Sequence, residues 1–116
     1  MTPTHARRPG AILIGGFGGT AHIAASGEFD RDNDHLLVTA VRRALRDGHQ
    51  VIEIDMASVT FVSASVVHAL LDCQRLAGSQ GRWLWLRKVS GLPAYVLEIT
   101  GTRARLCLEP VPDPGC

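Results

Sequence analysis

The sequence has no excess of charge of either sign. Twelve lysines and arginines stand against eleven aspartates and glutamates, which gives a formal net charge of +1. A protein that holds nucleic acid through its phosphates needs a strongly positive surface. We therefore expect no nucleic-acid partner.

Long apolar runs are also missing, since no stretch approaches the roughly 20 residues that a membrane-spanning helix requires. The apolar segment 11–14, which follows the N-terminal arginines, is too short for the hydrophobic part of a signal peptide. The three cysteines are an odd number at wide spacing, which fits reduced thiols better than a secreted disulfide framework. We expect a cytoplasmic protein with no direct membrane insertion.

What is present is the composition of one globular domain. The chain has 116 residues, of which 46% are hydrophobic and 20% charged, so it can bury a core without disulfides or metals. We predict a single domain over residues 11–109, with flexible termini at 1–10 and 110–116. Three prolines in the last seven residues cannot join a central strand ladder, which favours a loose C-terminal tail.

The apolar pattern predicts an α/β fold with a mixed sheet: an N-terminal hairpin, then parallel strands that alternate with helices. The predicted strands cover residues 11–14, 20–25, 50–56 and 82–87, with a loop at 57–60 and a last short element at 106–108. The predicted helices run from near Asn33 to Gly48, from Ser63 to Gly78 and from Ser90 to Gly101.

Local signals support these elements. The polar cluster 31–34 is predicted to cap the first helix. Trp83 and Trp85 lie in a predicted strand whose residues are apolar on both faces. We therefore expect both tryptophans in the core, with other elements packed on each face of the strand. The glycine-rich run 15–19 lacks the Gly-Lys-Ser/Thr ending of a phosphate-binding loop, which favours a hairpin turn over a nucleotide site.

Four segments resemble the STAS domain family: residues 26–30 (SGEFD), 54–62 (IDMASVTFV), 81–86 (GRWLWL) and 97–101 (LEITG). The resemblance extends over residues 11–108 and implies a STAS-like fold. A chain of one such domain resembles the bacterial anti-sigma factor antagonists. This implies that it binds a kinase-like anti-sigma factor and so releases a sigma factor in transcription regulation. The family also implies an alternative, a STAS-like subunit of a membrane transport assembly of the ABC/lipid or anion type.

The start of the second helix departs from the family pattern. Phosphorylated members carry an aspartate followed by a serine or threonine at this point, and the register of residues 55–61 places Ser63 and Ala64 there. Alanine has no hydroxyl group, so the resemblance implies an antagonist without phospho-control. Ser65 is an alternative phosphosite, although one residue further along a helix it points about 100° away. Ser63 is expected to cap the helix.

The resemblance also implies a partner-binding surface around the start of this helix. Its predicted residues are Asp30, Ser63, Ala64, Ser65 and His68.

A second constellation on this helix has an enzymatic interpretation. Ser65, His68 and Asp72 share one face and could suggest a nucleophile, a base and an orienting acid. Side chains along one helix lean in the same direction, however, whereas a working triad converges from separate elements. His68 and Asp72 alone are two metal ligands without a third. We therefore expect no enzyme, no catalytic residue, no metal and no cofactor.

The cysteines offer a further hypothesis. Cys73 and Cys107 both fall at apolar positions, so each is first interpreted as an inert core residue. A redox pair between them remains open, and it requires Cα atoms within about 7 Å. Cys116 could form accidental dimers in air, and a weak homodimer also remains open.

Overall fold

The computed structural model describes residues 8–109; the remaining parts of the predicted flexible termini, 1–7 and 110–116, lie outside the described residues. The elements in chain order are β1 (Ala11–Phe17), β2 (Thr20–Phe29), α1 (His35–Arg46), β3 (Val51–Val62), α2 (Ala64–Ser79), β4 (Trp83–Arg87), α3 (Gly91–Ile99) and α4 (Arg103–Leu106).

The four strands form one mixed sheet in the order β1-β2-β3-β4, as predicted. β1 and β2 are antiparallel, whereas β3 and β4 are each parallel to their predecessor. Gly18 and Gly19 form the hairpin turn, with φ angles of 59° and 85° that few other residues adopt. Because both parallel crossovers run in one direction across the sheet and are right-handed, α1 and α2 lie on the same face.

The core lies between this face and the two helices. Ile23, Ile54 and Leu86 occupy one row across three neighbouring strands, and each is at most 1% exposed. Alternate side chains of a strand point to opposite faces, so the buried set in the parallel strands repeats every second residue. The helix residues that are buried in the same cluster include Leu37, Val41, Val66, Leu70 and Cys73.

The opposite face of the sheet is partly open to solvent. The prediction that β4 is buried on both faces, with both tryptophans in the core, is therefore wrong in part. Trp85 is 9% exposed, but Trp83 is 41% exposed. Charged side chains occupy the middle of this face: Arg87 donates to Glu53 at 2.7 Å, and His22 Nδ1 lies 3.1 Å from the same carboxylate oxygen. Trp85 points to the same face as Trp83, but it lies beside Arg103 and Cys107 and has the Arg87 guanidinium 5.8 Å from its ring centre, so only Trp83 is left open.

The predicted loop at 57–60 is wrong, because β3 continues through it to Val62. The strand stays paired with β2, which has ten residues against twelve in β3, although the register shifts between Ala24 and Ser26 and again between Gly27 and Glu28. Such irregularities bend a strand without ending it. Within this stretch, Ser58 pairs with Ser26 and Val59 with Gly27 of β2.

Other boundaries also differ from their predictions: β1 continues past Ile14 to Phe17, and β2 continues past Ala25 to Phe29. α1 begins at His35 instead of near Asn33, and α2 continues past Gly78 to Ser79. The left-handed glycine after α2 is Gly81, with a φ of 70°. The last short element is the helix at 103–106 instead of residues 106–108.

Residues 8–10, predicted to belong to a flexible terminus, lie against the end of β2. The Glu28 N–H donates to the Arg8 carbonyl at 3.1 Å, and Pro9 forms an isolated bridge with Glu28. Within residues 8–109, no helix has the length and apolar character required to cross a bilayer.

Candidate functional site

The start of α2 is attached to the end of β2 by hydrogen bonds. Ser63 is the N-cap, as predicted, with an extended backbone, and its Oγ accepts from the Val66 N–H at 3.4 Å. The Ser63 N–H itself donates to the Phe29 carbonyl at 3.1 Å. The first turn of α2 is therefore held in place by the neighbouring strand.

The loop that follows β2 is ordered by its own side chains. The Asp30 N–H donates to Asn33 Oδ1 at 2.8 Å, and the Asp32 N–H donates to Asp30 Oδ1 at 2.9 Å. Asn33 Nδ2 donates to the Glu28 carbonyl at 2.9 Å. These turns use the polar groups that were expected to cap α1, whose N-cap residue Asp34 makes no side-chain cap bond. The predicted capping role of the cluster 31–34 is therefore wrong.

The loop and the helix start meet at a shallow hollow of about 560 Å³, which we name the loop–helix surface. Its lining residues are Asp30, Arg31, Asp32, Ser63, Ala64 and Ser65. Four of the five residues predicted for partner binding thus lie together. His68 is exposed one turn further along α2 and does not line the hollow.

Sequence reasoning missed Arg31 and Asp32 as members of this surface. The available signal was their position directly after Asp30, which already belonged to the predicted site. They were interpreted as helix-start residues instead, although their loop turns toward α2.

The chemistry of the surface is set by Ala64, which is exposed and is the first residue of α2. The half-buried hydroxyl of Ser65 lies 2.8 Å from the Ser63 hydroxyl. At the exposed position, therefore, the chain presents a methyl group, and the nearest hydroxyl groups are engaged with each other.

The residues of the suspected triad do not interact as a triad. Ser65 contacts Ser63, and Asp72 accepts from Arg75 Nη1 at 3.2 Å, whereas no hydrogen bond joins Ser65, His68 and Asp72. In the part of the chain that the structure describes, no group of three or more His, Cys, Asp or Glu side chains could hold a metal ion.

The two described cysteines are free thiols in different environments. Cys73 is buried in α2, and burial raises the pKa of its thiol to about 11, with smaller opposing effects from Arg42 and Asp72. Cys107 is half-buried directly after α4, and burial raises the pKa of this thiol as well. Because thiol–disulfide exchange requires a thiolate, these environments disfavour fast exchange. The redox pair stays a prediction.

Native Cys73 should be alkylated at pH 8 about 100-fold more slowly than an exposed thiol with the ordinary pKa of 9.0, because two pKa units reduce the thiolate fraction by that factor. The raised pKa also means that the neutral thiol stabilises the fold fully below pH 9, and that this stabilisation is lost as the pH rises toward 11. Mass spectrometry of Cys73 peptides over time measures the rate, with protein unfolded in guanidinium chloride as the control. Equal rates in the native and unfolded protein would contradict this assignment.

Comparison with known proteins agrees with this geometry. The family model described as "Mlab, STAS domain" matches residues 16–108. No curated protein matches the sequence. Among solved structures, the unphosphorylated form of the anti-sigma factor antagonist SpoIIAA has a TM-score of 0.72 at 17% identity, covering 87% of this chain and 89% of that chain.

Two further structures show the same fold. An anti-sigma factor antagonist from Mycobacterium paratuberculosis has a TM-score of 0.73 at 19% identity, with 89% of this chain and 87% of that chain covered. The phosphorylated form of SpoIIAA from Bacillus has a TM-score of 0.66 at 16% identity, covering 87% of this chain and 92% of that chain. At these identities the structures are evidence for a common fold.

Proposed function

Because this chain belongs to the STAS domain family, we propose that it is an anti-sigma factor antagonist. In this role it binds a kinase-like anti-sigma factor in the bacterial cytoplasm and thereby frees a sigma factor. The fold shared with two proteins described as anti-sigma factor antagonists supports the proposal. The chain is a binding module in this proposal and not an enzyme.

The observation that carries the proposal is the exposed start of α2 beside an ordered loop. Ser63 is bonded to the end of β2, and the loop side chains Asp30 and Asn33 are bonded to neighbouring backbone groups. A surface that is already ordered loses little conformational entropy on binding, which favours affinity. The exposed methyl group of Ala64 leaves a partner able to approach the helix start closely.

The same geometry supports binding without phospho-control. A phosphate on a helix start adds nearly two negative charges and can disrupt a partner's fit. Ala64 offers no acceptor, and modification of Ser65 would require its half-buried hydroxyl to leave the Ser63 hydroxyl at 2.8 Å. The antagonist is then active whenever it is present.

Affinity capture of the full chain from its native bacterium, followed by mass spectrometry, tests the partner. We expect a kinase-like anti-sigma factor to be retained in stoichiometric amount. The variant Ala64→Glu serves as a second bait with an altered loop–helix surface. It should retain much less of the same partner than the wild-type chain. Recovery of an ATPase and a permease in its place would contradict the proposal and would indicate a subunit of a membrane transport assembly.

Intact-mass analysis tests the absence of phospho-control. After incubation with the captured partner, Mg²⁺ and ATP, the wild-type chain should gain no phosphate, whereas Ala64→Ser should gain about 80 Da because it supplies the missing hydroxyl. Peptide mapping then locates the modified residue. Stoichiometric phosphorylation of the wild-type chain at Ser65 would show that the alternative phosphosite operates.

A further inference from the structure

β1 is an edge strand with an unusual degree of apolar exposure. Three of its side chains are exposed hydrophobics: Phe17 at 85%, Leu13 at 77% and Ile14 at 45%. Leu13 and Phe17 point to one face of the strand and Ile14 to the other, so apolar groups are exposed on both sides of this edge. This surface shares no residue with the loop–helix surface.

The backbone of β1 is also available for pairing. The strand occupies one end of the sheet order, and among residues 8–109 no second strand pairs with its outer side. Natural edge strands are commonly protected by charges, prolines or bulges. The sequence of β1, AILIGGF, contains no charge and no proline, and its seven residues pair with β2 without a register shift.

The residue order within β1 suits antiparallel pairing with a second copy of this chain. The only antiparallel register that pairs all seven residues of two such strands places Ile14 opposite Ile14 of the other copy. Phe17 then faces Ala11, while Leu13 faces Gly15. In the same register Ile12 faces Gly16, so that every large side chain other than Ile14 lies opposite a small one. No like charges are brought together, because the strand has none.

We propose that β1 of one copy pairs antiparallel with β1 of a second copy, about a two-fold axis at Ile14. The two sheets of four strands then form one continuous sheet of eight. An interface between identical surfaces related by a two-fold axis is closed, so the assembly ends at a dimer.

The dimer is weak and reversible. A standard stable interface buries roughly 800 Å² on each partner, and a single strand edge with three exposed side chains provides less. We therefore expect the chain to dimerise only at high protein concentration.

Sedimentation velocity of the full chain, under reducing conditions and from about 1 µM to 1 mM, measures the association. The average mass should rise from 12.5 kDa toward twice that value. Leu13→Lys and Phe17→Lys should each increase the dissociation constant at least tenfold, because they place a charge on the paired edge. Ile99→Lys is the matched control, since Ile99 is 64% exposed on α3. A monomer at every concentration, or an equal effect of the control, would overturn the proposal.

Cysteine cross-linking tests the register directly in the full chain carrying Cys116→Ser. Residues directly opposite in an antiparallel pair have Cα atoms about 4.5–5.5 Å apart, which a disulfide can bridge. Ile14→Cys should therefore cross-link two copies at least tenfold faster than Leu13→Cys, whose two Cα atoms would lie about 8 Å apart in this register. Equal rates for the two variants, or no more cross-linking than in the Cys116→Ser parent, would exclude the pairing at Ile14.

Discussion

The exchange Ala64→Glu should weaken binding of the anti-sigma factor about 100-fold without lowering the stability of the chain. Burying an unpaired carboxylate in an interface costs about 3 kcal/mol, which corresponds to roughly a hundredfold change in the dissociation constant. Ala64 is exposed and is the first residue of α2, where a negative charge interacts favourably with the helix dipole. Isothermal titration with the purified partner and urea unfolding of the free chain measure the two quantities.

Ala104→Glu is the matched control for this experiment. Ala104 is also exposed and lies in α4, which contacts the second half of α2 through a bond from Gln74 to the Arg105 carbonyl. The same chemical change there should leave the partner's affinity within about twofold, because the loop–helix surface is untouched. If both variants bind like the wild type, the start of α2 is not the contact surface and the proposed site is wrong.

The exchange Gly27→Ala should lower the free energy of unfolding by about 3 kcal/mol, the combined cost of a left-handed alanine and an overpacked contact. Gly27 has a φ of 85°, and a Cβ atom there would clash with the Pro9 carbonyl oxygen. Because the clashing atom belongs to the backbone, the clash can be relieved only if residues 8–10 move. That movement would weaken the hydrogen bond from the Glu28 N–H to the Arg8 carbonyl. Urea denaturation followed by tryptophan fluorescence measures the loss.

Gly18→Ala separates the two causes of this destabilisation. Gly18 has a φ of 59°, but a Cβ atom there would meet nothing within 4 Å. Its exchange should cost only about 1 kcal/mol, since backbone strain is the sole penalty. Equal losses in the two variants would show that close approach of the N-terminal segment does not constrain Gly27.

Features that depend on neighbouring residues were predictable. The hairpin follows from adjacent glycines that tolerate positive φ, and Ser63 caps α2 because its side chain reaches an N–H only three residues away. The alternation of strands and helices predicted the parallel part of the sheet in the same way. The resemblance to STAS domains added the location of the surface around Ala64, which residue spacing alone does not identify.

Features that depend on distant segments were not predictable. Residues 57–60 belong to a strand because β2 lies beside them, and Trp83 is exposed whereas Trp85 on the same face of the sheet is buried, a difference that alternation along β4 does not reveal. Arg31 and Asp32 join the loop–helix surface because the loop side chains satisfy their own backbone instead of capping α1.

The sequence by itself therefore determined the elements of this protein, their order and the missing hydroxyl at residue 64, because each depends on local backbone preference or residue identity. Only the tertiary structure decided which side chains meet at the start of α2 and which strand edge is left open. Those outcomes depend on which faces the packed elements cover, and side-chain spacing along the chain does not contain that information.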